Sequence, residues 1–161
     1  MNGYAKGTEV SVDRSIAEIR ATVTRFGADG FMQAEHKHSA GVMFSYQGRT
    51  VRMSINIPDR SDKRFWVTPG RGKRRTEEHA YREWEKECRR QWRGLALVIK
   101  ALLVAVQEGV LDFDQAFMPH LLSRTGQTVG EMLAPSMEKV IKEGGKALPF
   151  GLLGRGKEGE E

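Results

Sequence analysis

Val42-Met43-Phe44-Ser45-Tyr46-Gln47-Gly48-Arg49-Thr50-Val51-Arg52-Met53-Ser54-Ile55-Asn56-Ile57 is the stretch that decides the fold class. Val42, Phe44 and Tyr46 alternate with Met43 and Ser45, and Val51, Met53, Ile55 and Ile57 alternate with Arg52, Ser54 and Asn56. This period of two gives each strand one apolar row and one wet row. Gln47-Gly48 between the runs is a tight-turn pair, so the two strands form an antiparallel hairpin. A run from Phe31 to His36 lies upstream, set off by Ser39-Ala40-Gly41, and extends the hairpin to a three-stranded meander. A sheet of three strands with one apolar face needs a cover. Helices on that face predict an α+β layer arrangement.

The helices are read from the flanks. Ser15-Ile16-Ala17-Glu18 has the form of a capping box, and Ile16, Ile19, Val23 and Phe26 follow at helical spacing until Gly27, which suits a left-handed stop. This predicts a helix over residues 16–26, with a short edge strand before it at Thr8-Glu9-Val10-Ser11-Val12. Downstream, Thr76 with Glu77 and Glu78 opens a second helix. Its ladder Tyr81, Trp84, Cys88, Trp92, Leu95, Ile99, Leu102 and Val106 runs unbroken to about Glu108, although Gly94 puts its continuity in question. At 1.5 Å per residue that helix is roughly 48 Å long, more than a small domain covers alone, so one end is expected to project or to meet another subunit. Asp112 caps a short segment through Met118 that Pro119 stops. Thr128-Val129-Gly130-Glu131 is another capping box, opening a helix that Pro135 should kink or divide and Gly144-Gly145 should end. Residues 1–145 read as one domain, and 146–161 as a loose tail whose apolar Leu148 to Leu153 can dock on a partner.

Charge is distributed unevenly. The chain of 161 residues has 26 Lys plus Arg against 21 Asp plus Glu, a net of +5. Residues 60–100 hold 13 basic and 6 acidic groups, so they carry +7, whereas residues 101–161 hold 6 and 9 and carry −3. The excess begins in the loop 59–76 with Arg60, Lys63, Arg64, Arg71, Lys73, Arg74 and Arg75, beside Phe65 and Trp66. It continues on the long helix, where Arg82, Lys86, Arg89, Arg93 and Lys100 share a face separate from the apolar ladder. Guanidinium forks, glycine-freed amides at Gly70 and Gly72, and the ring of Trp66 together suit a phosphate-bearing ligand. The competing reading is a solvated helix face laced by Glu78 to Arg82 and Glu85 to Arg89 pairs, with Phe65 and Trp66 pinning the loop to the core.

Catalytic and metal motifs do not assemble. Pro69-Gly70-Arg71-Gly72-Lys73-Arg74 lacks the glycine at Val67 and the hydroxyl at Arg74 that a Walker loop needs. His36 and His38 have no third ligand in view, Cys88 falls in the apolar ladder, and His120 with Asp112 and Asp114 has no nucleophile to serve. The expectation is no enzyme, no cofactor and no metal. One cysteine excludes a disulfide framework. Leu95 to Val106, interrupted by Lys100, is too short to cross a bilayer, and the start Met1-Asn2-Gly3-Tyr4 has no signal-peptide core, so the expectation is a soluble cytoplasmic protein with no membrane partner.

Three stretches resemble a family of small uncharacterised bacteriophage and prophage proteins. They are Val10-Ser11 through Ser15 with Glu18-Ile19, Thr22 and Arg25-Phe26-Gly27-Ala28; Trp92-Arg93-Gly94-Leu95-Ala96-Leu97-Val98-Ile99-Lys100-Ala101; and Gly126 with Thr128-Val129-Gly130-Glu131. The resemblance implies a phage setting, hence a host-cell cytoplasm, and two roles: handling nucleic acid, or evading host defence by sequestering a nucleotide signal. The residues support best a homo-oligomer associating through the helix 77–108 and binding polyanions, above all nucleic acid by its phosphates. The site comprises Arg60, Arg64, Trp66, Arg71, Lys73, Arg74, Arg75, Arg82, Lys86, Arg89, Arg93 and Lys100. The alternatives are a sponge that encloses a cyclic or other phosphate-bearing nucleotide, and an adaptor that binds a host or virion protein through its tail.

Overall fold

The computed structural model describes residues 9–142. In chain order the elements are α1 (Val12–Phe26), β1 (Gly30–His36), β2 (Ser39–Tyr46), β3 (Arg49–Asn56), α2 (Lys63–Trp66), α3 (Glu77–Gln107), α4 (Phe113–Phe117), a 3-10 turn (Met118–His120) and α5 (Val129–Lys142). The sheet is an antiparallel meander in the order β1-β2-β3, so the expected α+β architecture is present.

The turn between β2 and β3 is Gln47-Gly48, both with positive φ (48° and 75°), the backbone that a two-residue hairpin requires. The first hairpin closes differently from the expectation. Lys37 and His38 form its turn, and Ser39, Ala40 and Gly41 belong to β2, paired with His36, Glu35 and Ala34. Gly41 is needed there for a packing reason, since a Cβ would stand 2.3 Å from the Met53 carbonyl oxygen. The register sets Phe44 opposite Val51 and Val42 opposite Met53, which makes one continuous apolar row.

Two helices cover that row. α1 starts a turn earlier than the capping-box reading placed it. Ser11 is the N-cap and accepts from the Arg14 amide at 3.2 Å, whereas Ser15 is fully buried and donates its hydroxyl to the Ser11 carbonyl. No edge strand precedes α1 among residues 9–11; Thr8 lies outside the described residues. Gly27 ends α1 at φ 105°, as expected of a left-handed cap. α3 is continuous through Gly94, and its 31 residues extend about 46 Å. Cys88, Trp92, Leu95, Ala96, Ile99 and Leu103 bury one stripe of it against α1 and the sheet, with α4 adding Phe113, Ala116 and Phe117. Aromatic rings finish the far end: Phe26, Tyr46 and Phe113 meet at 4.9 to 6.2 Å, and Phe44 packs edge-on to Phe117 at 5.6 Å.

The Thr128–Glu131 capping box forms in both directions. α5 continues through Pro135 instead of dividing there, and the expected stop at Gly144-Gly145 lies outside the described residues, as does the tail. α5 stands off the core: Met132, Leu133, Met137 and Ile141 are all about half or more exposed, and its first turn is tied down by Arg52, which bridges Glu131 at 2.6 Å and the Gly126 carbonyl.

Candidate nucleic-acid interface

The basic loop is folded. Asp59 accepts from the amide and hydroxyl of Ser61, and those two bonds hold its carboxyl below the usual range. Asp62 caps α2, and α2 turns Phe65 inward to 5% exposure while Trp66 donates its indole N–H to the Arg60 carbonyl at 2.9 Å. The Trp84 indole on α3 donates to the Pro58 carbonyl at 2.8 Å, fastening the start of the loop to the helix. Beyond α2 the chain closes on itself through a Val67–Arg74 bridge, with Thr68 bonded to Lys73 in both directions and with Gly70 and Gly72 at φ 80° and 60°. A tethered tip results, not an open strap. The reading that Phe65 and Trp66 pin the loop therefore describes their contacts.

This scaffold divides the cations. Arg75 turns inward, its Nη1 reaching the carbonyl oxygens of Arg64, Phe65 and Val67 at 3.0 to 3.1 Å, so it caps the end of α2. Arg64 pairs with Asp62 at 3.1 Å and lies over Phe65. Arg60 lies over two rings, 4.5 Å from the centroid of Tyr81 and 5.1 Å from that of Trp84, and the rings are themselves 5.7 Å apart. Lys63, Arg71, Lys73 and Arg74 are exposed, and among the described residues no carboxylate pairs with them. Residues 63–75 contain six basic and no acidic residues, which concentrates the field at the tip.

The helix stripe is less open than a wheel suggests. Arg82 pairs with Glu78 at 2.5 Å and Arg89 with Glu85 at 3.2 Å, while the Arg89 Nε is buried without a hydrogen-bond partner. Arg93 is drawn into the α1–α3 contact by Glu18, and Lys100 lines a groove beside α1 with Thr22 and Arg25. The structure thus brings Arg60, Arg64, Trp66, Arg71, Lys73, Arg74 and Arg75 together around the N-terminal third of α3. Arg82 and Lys86 follow on the next turns of α3, Lys86 exposed and without a carboxylate partner among the described residues, whereas Arg93 and Lys100 lie farther along α3, beside α1.

Tyr81 was read as core and is not. It is 40% exposed and forms with Trp84, Trp66 and Arg60 an open cleft of about 410 Å³. The available signal was its place as first rung of the ladder, one turn from the helix start, where a ring with a polar tip has least to pack on.

The remaining motifs go to structural roles. Asp114 is bound by Arg49, which keeps its carboxyl low, and Asp112 caps α4, so neither serves His120. His36 and His38 are exposed, and no group of three His, Cys, Asp or Glu suited to a metal occurs among the described residues. Cys88 is buried, and burial together with Glu87 pushes its thiol up to about 11. No helix among the described residues is long and apolar enough to cross a membrane. No family model, curated protein or solved structure matches the chain.

Proposed function

We propose that this chain is a non-enzymatic nucleic-acid-binding protein, with phosphates held on the loop 63–75 and a base stacked at the Tyr81 and Trp84 rings. The observation that carries the reading is the combination of four unpaired cations on a loop fixed by its own hydrogen bonds with the neighbouring rings of α3, Tyr81 exposed and Trp84 half-buried beside it. Phosphate contacts give affinity without sequence preference, and aromatic stacking tolerates any base, so a single strand is the preferred form. Arg60, already lying over the rings, supplies a guanidinium that stacks alongside the base or moves to a phosphate.

A small-nucleotide sponge is the second reading, and the meeting of Arg60 with three aromatic rings in one cleft favours it. The cleft opens to solvent and its own arginine lies across two of the rings, which suits a passing strand better than an enclosed ligand. The adaptor reading rests on the tail, outside the described residues. Self-association along residues 77–108 loses much of its motive, because Trp92, Leu95 and Ile99 are buried within the chain and the large apolar side chains left exposed on α3 are Tyr81, Val98 and Val104.

Fluorescence anisotropy with unrelated single-stranded oligonucleotides across a salt series tests the proposal, beside calorimetry with cyclic di- and trinucleotides. Five cations, Lys63, Arg71, Lys73, Arg74 and Lys86, on a single strand predict a log–log salt slope of roughly −3.5. Tight binding of a cyclic nucleotide with no oligonucleotide bound at low salt refutes the polymer and selects the sponge. No binding of either makes the loop a solvated surface.

A further inference from the structure

We infer that the outer edge of β1 is an interface between two copies of this chain, which pair β1 to β1 antiparallel about a two-fold axis at Gln33. The inference does not depend on the ligand. β1 is bonded on one side only, to β2, and from Gly30 to His36 every residue but Phe31 is exposed. Its hairpin closes with the two residues Lys37 and His38, so His36, Ala34 and Met32 exchange ladder bonds with β2 while Phe31, Gln33 and Glu35 turn their N–H and C=O groups outward. No described residue bonds to those outward groups. The strand contains neither proline nor lysine to blunt the edge.

Parity then fixes the register. Ladder bonds across the new edge join odd-numbered residues, and the arrangement that uses all seven positions sets Gln33 opposite its own copy and Phe31 opposite Glu35 of the second copy. The side chains agree with it. Arg20 on α1 lies 5.1 Å over the Phe31 ring and has no carboxylate among the described residues, and Glu35 has no cation. The register brings Glu35 of one copy beside Arg20 of the other, twice per dimer. On the opposite sheet face, Met32, 59% exposed and paired with Met43 across β2, gains Ala34 of the second copy as a neighbour. Alongside the edge, α1 presents Ala17 and Ala21 in an open, largely apolar groove of about 580 Å³ that Gln33 also lines. Two such flanks meeting across the axis let the helices approach and extend the contact beyond a bare strand pair.

The assembly stops at two. The outer edge of β3 is covered only where it begins, Val51 bridging to Leu121 and the Leu122 amide donating to the Thr50 carbonyl at 2.8 Å, and the limit of two comes from β1 itself, whose edge a self-complementary contact consumes in both copies.

Sedimentation of the full chain from low to high micromolar concentration tests this. The wild type is expected to be a dimer. Gln33→Pro removes an outward N–H, a change an edge strand tolerates, and should give a folded monomer. Arg20→Glu or Glu35→Arg alone should weaken the dimer about tenfold, since the axis repeats the pair, and the double swap should restore it. If Gln33→Pro does not fold, the charge swap decides. A monomeric wild type, a dimer indifferent to both swaps, or a dimer dissociated by Leu133→Ser with Met137→Ser on α5 and untouched by the β1 changes overturns the inference.

Discussion

Arg71, Lys73, Arg74 and Arg75 look interchangeable in sequence, and the structure predicts that they are not. Arg75 donates from one guanidinium nitrogen toward three carbonyls at the end of α2. A hydrogen bond from a charged donor contributes about 1.5–3 kcal/mol, and the three contacts converge on one nitrogen of a half-buried side chain, so together they count as about one such bond, about 2 kcal/mol. Arg75→Ala should therefore release α2 together with Phe65, and for a domain of this size lower Tm by roughly 7 °C. Replacing Arg71, Lys73 and Arg74 together by Ala removes side chains without carboxylate partners and should shift Tm by less than about 1 °C, as surface changes do. The same triple variant should flatten the single-strand salt slope by about 2, at roughly 0.7 per phosphate contact. Circular dichroism melts and anisotropy at several salt concentrations measure the two properties on the same samples. A triple variant that melts early, or an Arg75→Ala protein that melts normally and loses only binding, refutes the division of the loop into a capping arginine and three free cations.

Trp92, 2% exposed at the centre of the α3 stripe, should cost about 3–5 kcal/mol in urea unfolding when replaced by Ala. Burial holds the His120 imidazole below its ordinary 6.5. The unfolded chain therefore takes up that proton first as pH falls through 6.5, and stability should be flat above 6.5 and decline below it, before the carboxylates near 4.5 contribute; His120→Gln should remove that decline. Cys88, with its thiol near 11, should stay unreactive to an aromatic disulfide reagent at pH 8 in the folded protein and react at once in denaturant.

Sequence reading succeeded where a local pattern and its tertiary partner demand the same thing. The alternation from Val42 to Ile57 specifies a two-faced strand pair wherever it is placed, and Gln47-Gly48 fixes how the pair is joined. Thr76, Asp112 and Thr128 each cap a helix through atoms no more than three residues away. Ser11 and Ser15 show where locality ends. Both can cap, and what separates them is that Ser15 belongs to the face α1 buries, so the helix must extend past it and begin at Ser11. The first hairpin turn was misplaced for a similar reason: Ser39, Ala40 and Gly41 have turn-like composition, yet Gly41 lies in β2 because the Met53 carbonyl approaches too closely for any Cβ.

The charged site was legible as a region and not as a set of roles. A helical wheel groups Arg82, Lys86, Arg89, Arg93 and Lys100 on one face, but Glu18, which takes Arg93, is 75 residues away in the chain and no wheel contains it. Arg74 and Arg75 are adjacent and identical. Arg75 ends inside because it follows the Val67–Arg74 bridge, where its amide bonds to the Trp66 carbonyl and its side chain falls over the end of α2. A cation is available to a ligand only when the fold has given it no carboxylate and no carbonyl. That is a property of partners, and it separates Lys63, Arg71, Lys73, Arg74 and Lys86 from Arg64, Arg75, Arg82 and Arg89 around them.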